Sequence, residues 1–220
     1  MPIPLIAVAA IGGGVVLSAA AITYYYWPNI KKKLFGKTML IMGPRGCGKT
    51  TIAHLLEHDR LPPEAKETKV HGKFKAKKLD LTDLDIDVEL VNDMPGNMEA
   101  RNPKWRPHFE KCDFAIYVLR SDLFLEGEKD HVSRVEQDVK SIKDWLGKHP
   151  RKIVFVASYS DKAPKQRKSI SDAMAANADF KRIVSLIDSK YRRGPAVGSL
   201  ASRESGKDLV FHALKEIEEI

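Results

Sequence analysis

The sequence predicts an α/β fold: a three-layer sandwich with a mostly parallel six-stranded sheet, preceded by one transmembrane helix. Three observations lead there. Strand-like runs alternate with helix-like runs, the pattern of a parallel sheet with helices on both faces. A glycine-rich loop, "GPRGCGKT" at 43–50, joins the first such strand to the first such helix. Residues 3–27 contain no charged side chain.

The segment "IPLIAVAAIGGGVVLSAAAITYYYW" at 3–27 has the length of a membrane span, since a hydrocarbon core of about 30 Å takes about 20 helical residues. Tyr24, Tyr25, Tyr26 and Trp27 form an aromatic belt at one end, and Lys31, Lys32, Lys33 and Lys37 follow. Aromatic rings favour the headgroup level and basic flanks the cytosolic side, so the amino terminus is expected outside and the remainder in the cytosol. A cleaved signal peptide would need a basic region before the apolar run, and only the amino terminus is there. A buried soluble helix would be weakened by Gly12, Gly13 and Gly14, about 1 kcal/mol each. The expected organisation is an anchor at 1–28, a basic tether at 29–37 and one globular domain at 38–220. A tether of about ten residues spans at most about 35 Å and keeps the domain beside the bilayer.

Within the domain, "TMLIM" at 38–42 reads as the first strand and "TIAHLLEH" at 51–58 as the helix after the loop. A hairpin is expected over 70–91, where Ile86, Val88 and Leu90 alternate with acidic residues. A strand follows at 114–120. Val132, Val135, Val139, Ile142 and Leu146 then recur at spacings of three and four, predicting one long amphipathic helix over 122–146. "KIVFVA" at 152–157 is a strand, 171–190 a helix, and "GKDLVFHALKEIEEI" the closing helix with Leu209, Val210, Ala213, Leu214 and Ile217 inward.

The net charge of +8 lies in clusters, "KKK" at 31–33, "KFKAKK" at 73–78, "KQRK" at 165–168 and "YRR" at 191–193. Such charge suits an anionic surface. The short tether makes that surface lipid rather than nucleic acid, with anionic headgroups near Lys31 to Lys33 contributing about 1 kcal/mol per basic residue. Two cysteines, Cys47 and Cys112, imply no disulfide framework. No His and Cys cluster has zinc-site spacing.

The loop satisfies G-x-x-x-x-G-K-[ST] through Gly43, Gly48, Lys49 and Thr50. Glycines, Gly46 among them, let successive backbone N–H groups face phosphates, and the helix start adds its positive dipole end. Lys49 is expected at the β- and γ-phosphates, the Thr50 hydroxyl on magnesium, and Thr51 beside it in the first turn. Downstream, the strand at 86–90 delivers Asp93 toward a magnesium hydration shell, and Gly96 lets its amide approach a γ-phosphate without a Cβ in the way.

"DMPG" at 93–96 resembles the D-x-x-G switch motif of regulatory GTPases, and "WRPHFEKCDFAIYVLRSD" at 105–122 is similar to the corresponding stretch of the Arf and Sar family. The amino-terminal helix and short tether are similar in arrangement to the membrane-anchored beta subunits of the signal recognition particle receptor. The resemblance implies a P-loop NTPase fold, binding of GTP and GDP with Mg²⁺, slow GTP hydrolysis, and a protein partner that reads the switch loops. At the guanine-specificity position the family has Asn-Lys-x-Asp; here "SYSD" puts Ser158 for Asn, Tyr159 for Lys and keeps Asp161, which can accept two hydrogen bonds from guanine. The family's last base-contacting turn corresponds to "GSLAS", with Ser199 and Leu200 as its residues. Where relatives place Gln or His to orient the attacking water, this chain has Asn97, one methylene shorter than Gln. Arg45, where Ras-like proteins often have glycine, reaches the phosphates, obstructs a partner's arginine finger, or points into solvent. Thr68 is the expected switch residue on magnesium and the γ-phosphate, with Thr82 the alternative.

Two further readings compete with a membrane-anchored switch. Asn97 and Ser158 fit a GTP-binding scaffold without useful turnover. A small-molecule kinase would need a basic lid, for which "KQRK" is the one suggestive feature.

Overall fold

The computed structural model describes residues 10–11, 14–15, 34, 36–62, 72–76, 86–90, 105–148, 151–164 and 169–218. The domain is an α/β sandwich, as the alternating pattern predicts at that level. Six strands form its sheet: β1 (Thr38–Met42), β2 (Gly72–Ala76), β3 (Ile86–Leu90), β4 (Phe114–Arg120), β5 (Lys152–Ser158) and β6 (Arg192–Val197), in the order β2-β3-β1-β4-β5-β6. Only β2 and β3 pair antiparallel, with Phe74 opposite Val88; every other pairing is parallel.

Strand periodicity divides the core in two. Met39, Ile41, Ile116, Val118, Val154 and Val156 face one way, under α1 (Lys49–His58) and α6 (Arg203–Glu218). Their neighbours Leu40, Met42, Ala115, Tyr117, Leu119 and Phe155 face the other, under α3 (Lys129–Leu146), the short helices α4 (Ile170–Ala176) and α5 (Ala178–Val184), and a helical turn at 105–109. Strands buried on both faces read as continuous apolar runs, which is why β1, β4 and β5 are conspicuous in the sequence. Tyr117 and Phe180 each meet Phe155 edge-on, at 5.8 and 6.2 Å between ring centroids.

Several boundaries differ from expectation. The predicted helix over 122–146 is two: α2 (Ser121–Glu126) ends at Gly127 in the left-handed conformation (φ 71°), and α3 restarts with the Glu128 carboxylate accepting from the Asp130 and His131 N–H groups. Glycine without a Cβ stops a helix there cheaply. The predicted helix over 171–190 is likewise split, because Asn177 closes α4 and its side chain caps α5 by accepting from Phe180 N. β6 has no counterpart in the sequence reading: its Gly194-Pro195 and half-exposed arginines look like a loop, and an edge strand tolerates them. The five inward residues of α6 are buried as predicted.

Leu34, inside the expected tether, is only 1% exposed and packs in the α1/α6 core. Next to it Asp113 fixes the entry to the sheet, its carboxylate accepting from Thr38 N at 2.7 Å and pairing with Lys37 at 3.2 Å. Of the apolar segment 3–27 four residues are described, and they are extended, Ala10–Ile11 pairing antiparallel with Gly14–Val15, where a helix was expected. The rest of the segment and Lys31 to Lys33 lie outside the described residues. No helix among the described residues is long and apolar enough to cross a membrane.

Phe155→Ala should lower unfolding free energy by about 3–5 kcal/mol, because it empties a fully buried site between two rings. Denaturant titration followed by circular dichroism measures this, with an unchanged native spectrum expected.

Candidate functional site

The carboxyl ends of β1, β4, β5 and β6 meet at one edge of the sheet, where parallel α/β folds present ligand sites. The loop 43–48 leaves β1 there and turns into α1. Its first glycine touches the neighbouring strand: with φ 138°, a Cβ on Gly43 would lie 2.0 Å from the Val118 carbonyl oxygen. Gly46 (φ 74°) and Gly48 (φ 92°) are left-handed, and a Cβ on Gly48 would strike Leu200 Cδ1 at 2.3 Å. Gly48 precedes the first turn of α1, no side chain caps that turn, and the positive end of the helix dipole lies there.

Lys49 is 7% exposed, and its ammonium folds back to donate to the Gly43 and Pro44 carbonyls at 2.8 and 2.7 Å. Cys47 Sγ donates to the same Pro44 carbonyl at 2.9 Å. The ammonium has no carboxylate partner among the described residues. A buried cation held by two neutral carbonyls, with the Cys47 sulfur at 4.0 Å, is only partly compensated, and a phosphate would complete it. Thr50 and Thr51 stand half-buried in the first turn, and Arg45 is exposed at the loop tip.

Ser158, expected in place of the base-contacting Asn, faces the loop. It is fully buried, and its hydroxyl lies 2.8 Å from the Cys47 carbonyl and 2.9 Å from that of Leu119. One hydroxyl proton shared between two carbonyls leaves no donor for a base. Ser158 therefore ties the loop to the end of β4, and the Ser121 hydroxyl in turn donates to the Ser158 carbonyl at 2.7 Å. Asp161 and Ser199 do come together, as their predicted common role requires: the Ser199 hydroxyl donates to Asp161 Oδ1 at 2.5 Å. Ser160 N bonds the Gly198 carbonyl at 3.1 Å, closing the two loops on each other. Leu200 packs against the α1/α6 core beside Gly48.

Thr68, Thr82, Asp93, Gly96 and Asn97 lie outside the described residues. Among the described residues no cluster of three His, Cys, Asp or Glu side chains could hold a metal ion.

Arg120 is the residue that sequence reasoning missed. It ends β4, forks onto the buried Asp122 through Nε at 3.0 Å and a second nitrogen, and that carboxylate raises its pKa. Its guanidinium lies 4.7 Å from the centroid of the Tyr159 ring. Burial raises the pKa of the Tyr159 phenol. The only signal for this group was "RSD" directly after an apolar strand. Below it, the Arg120 backbone N–H donates to His131 Nε2 at 3.2 Å, so the buried imidazole acts as a neutral acceptor. Desolvation, then the Arg120 charge, pushes its pKa down to about 4.

A scan against protein-family models finds no match, and a search of curated proteins finds no similar sequence.

Ser158→Ala should cost about 1–3 kcal/mol, the penalty for stranding buried carbonyls, and should weaken polyphosphate binding by loosening the loop; thermal unfolding with and without tripolyphosphate checks both. The pH dependence has a definite sign. His131 is neutral in the folded state down to about 4, whereas unfolded it protonates near 6.5, so its contribution is complete above 6.5 and is lost as pH falls toward 4. The loss is at most about 3 kcal/mol. His131→Gln should flatten the stability profile in that window, as read by denaturant titrations at stepped pH.

Proposed function

We propose that this chain is a P-loop NTPase that binds a guanine nucleotide and acts as a membrane-anchored switch with slow intrinsic hydrolysis. The observation that carries the reading is one juxtaposition. A glycine loop with the buried Lys49 ammonium sits on the same sheet edge as the hydrogen-bonded pair Asp161 and Ser199. The loop suits the β- and γ-phosphates of GTP or GDP, and Asp161 Oδ2, free of hydrogen bonds to described residues, suits the guanine N–H groups. Tyr159 stands between them as a surface for the base.

Thr50 would hold Mg²⁺ with Asp93 and Thr68, and the ion would supply charge neutralisation at the β- and γ-oxygens. Lys49 orients the phosphates and offsets their charge. Asn97 is too short to orient water as a glutamine does, which accounts for slow turnover, and Arg45 stands exposed at the loop tip. A protein that reads the loops around Thr68 and 93–97 completes the switch.

The attachment geometry supports the membrane reading. Trp27 and Leu34 are seven residues apart, so the buried core begins at most about 25 Å from the end of the proposed anchor. Leu34 enters the domain at the amino end of β1, and the loop leaves its carboxyl end. The nucleotide site therefore faces away from the point of attachment, toward the cytosol.

The test is magnesium-dependent binding of GTP, GDP and ATP to the purified full-length chain, with phosphate release followed in the same samples. GTP and GDP should bind far more tightly than ATP, with phosphate released slowly. Asp161→Ala should bring GTP down to the ATP level, and Lys49→Ala should abolish binding of all three. Equal affinity for ATP and GTP in the wild type would contradict the guanine assignment. Tight GTP binding with no phosphate release at all would favour the scaffold.

A further inference from the structure

Tyr159 adopts positive φ (59°), which among described non-glycine residues only Asp59 shares. A bulky residue enters that conformation at a cost of about 1 kcal/mol or more, so its surroundings must hold it there. Two cations lie over its ring: Arg120 Cζ at 4.7 Å and Lys162 Nζ at 4.8 Å from the centroid. The ring also reaches the phosphate loop, its Cε2 lying 3.9 Å from where a Cβ on Gly48 would be. Two residues further on, Asp161 meets Ser199.

The two cations are held differently. Arg120 is fixed by the two-pronged pair with Asp122, whose side chain is 5% exposed, and a planar guanidinium so clamped keeps one orientation. Lys162 is exposed, and its ammonium makes no ion pair with a described residue. Only its backbone is fixed, its N–H donating to the Tyr159 carbonyl at 3.1 Å. A ligand that competes for the ring therefore displaces Lys162 and not Arg120. Every nucleobase has a π-face that can stack on a tyrosine, and the ring lies between the loop and Asp161, where the base of a loop-bound nucleotide must fall.

We propose that Arg120, clamped by Asp122, is the positioning residue that aims Tyr159 as the base-stacking platform, and that the Lys162 side chain is an exchangeable cover which the base displaces. This rests on the reading above that a nucleoside triphosphate occupies the loop. Arg120 acts through Tyr159, so its effect falls on the base and spares the phosphates. Lys162 competes with the base, so its removal strengthens binding although a cation is lost beside a polyanion.

The experiment compares equilibrium binding of tripolyphosphate, which has no base, with that of GTP and ATP in the full-length chain. Arg120→Ala should weaken the preferred nucleotide about tenfold, the order set by one base–aromatic stack, and leave tripolyphosphate unchanged. Arg120→Lys should recover part of the loss, because an ammonium still sits over the ring without the fork onto Asp122. Lys162→Ala, at an exposed position that cannot disturb the core, should tighten the nucleotide about threefold and leave tripolyphosphate unchanged or slightly weaker. Parallel losses of nucleotide and tripolyphosphate in Arg120→Ala, or a Lys162→Ala protein that binds nucleotide no better than wild type, would overturn the proposal. If ATP and GTP bind equally and both respond to the two substitutions, the platform stands and the guanine assignment fails. If wild type binds neither nucleotide nor tripolyphosphate, the platform fails with the reading beneath it.

Discussion

The buried ammonium of Lys49 is the constraint on which the site depends. It folds back onto the carbonyls of Gly43 and Pro44, and that contact curls the loop around it. The curl has geometric preconditions on either side. Gly43 must pass the Val118 carbonyl closer than any side chain allows, and Gly48 must be left-handed to start α1 beside Leu200. Ser158 then ties the far side of the loop to β4. A cation held by neutral carbonyls and a thiol is a weak source of stability but a ready receptor for an anion.

The remainder of the domain supplies rigidity for this edge. Two apolar layers clamp the sheet, so the ends of β1, β4 and β5 cannot shift independently. The residues around Tyr159 and Asp161 are all hung on those ends: Arg120 closes β4, Ser158 closes β5, and the loop after β6 brings Ser199 to Asp161. The chain enters β1 at the opposite edge, where Leu34 is buried and Asp113 pins the start of the strand. Leu34 and the glycine loop are thereby separated by the length of the sheet.

The parts of this arrangement visible in the sequence are those with local causes. Strands buried on both faces appear as apolar runs, and the loop appears because its glycines and lysine are consecutive. The inward face of α6 follows from its spacing. What stayed hidden depends on contacts distant in sequence or on single capping residues inside periodic segments. Gly127 and Asn177 each interrupt a pattern whose apolar spacing runs on past them. β6 is disguised by Gly194-Pro195 and by arginines at the sheet edge. The Ser158 hydroxyl reaches Cys47 across 111 positions, and nothing near "SYSD" indicates that its serine faces the loop while its aspartate faces the neighbouring turn. The Arg120 contact with Tyr159 spans 39 positions and is similarly invisible.

The most direct test of the central claim is a crystal structure of the full-length chain with a non-hydrolysable GTP analogue and Mg²⁺. The account predicts that the loop keeps its shape, with Gly43, Gly46 and Gly48 still at positive φ, while the Lys49 ammonium turns from the Pro44 carbonyl to a phosphate oxygen at hydrogen-bonding distance. Phosphates bound elsewhere, or a loop that must refold to admit them, would contradict the claim that the buried lysine holds a preformed polyphosphate site.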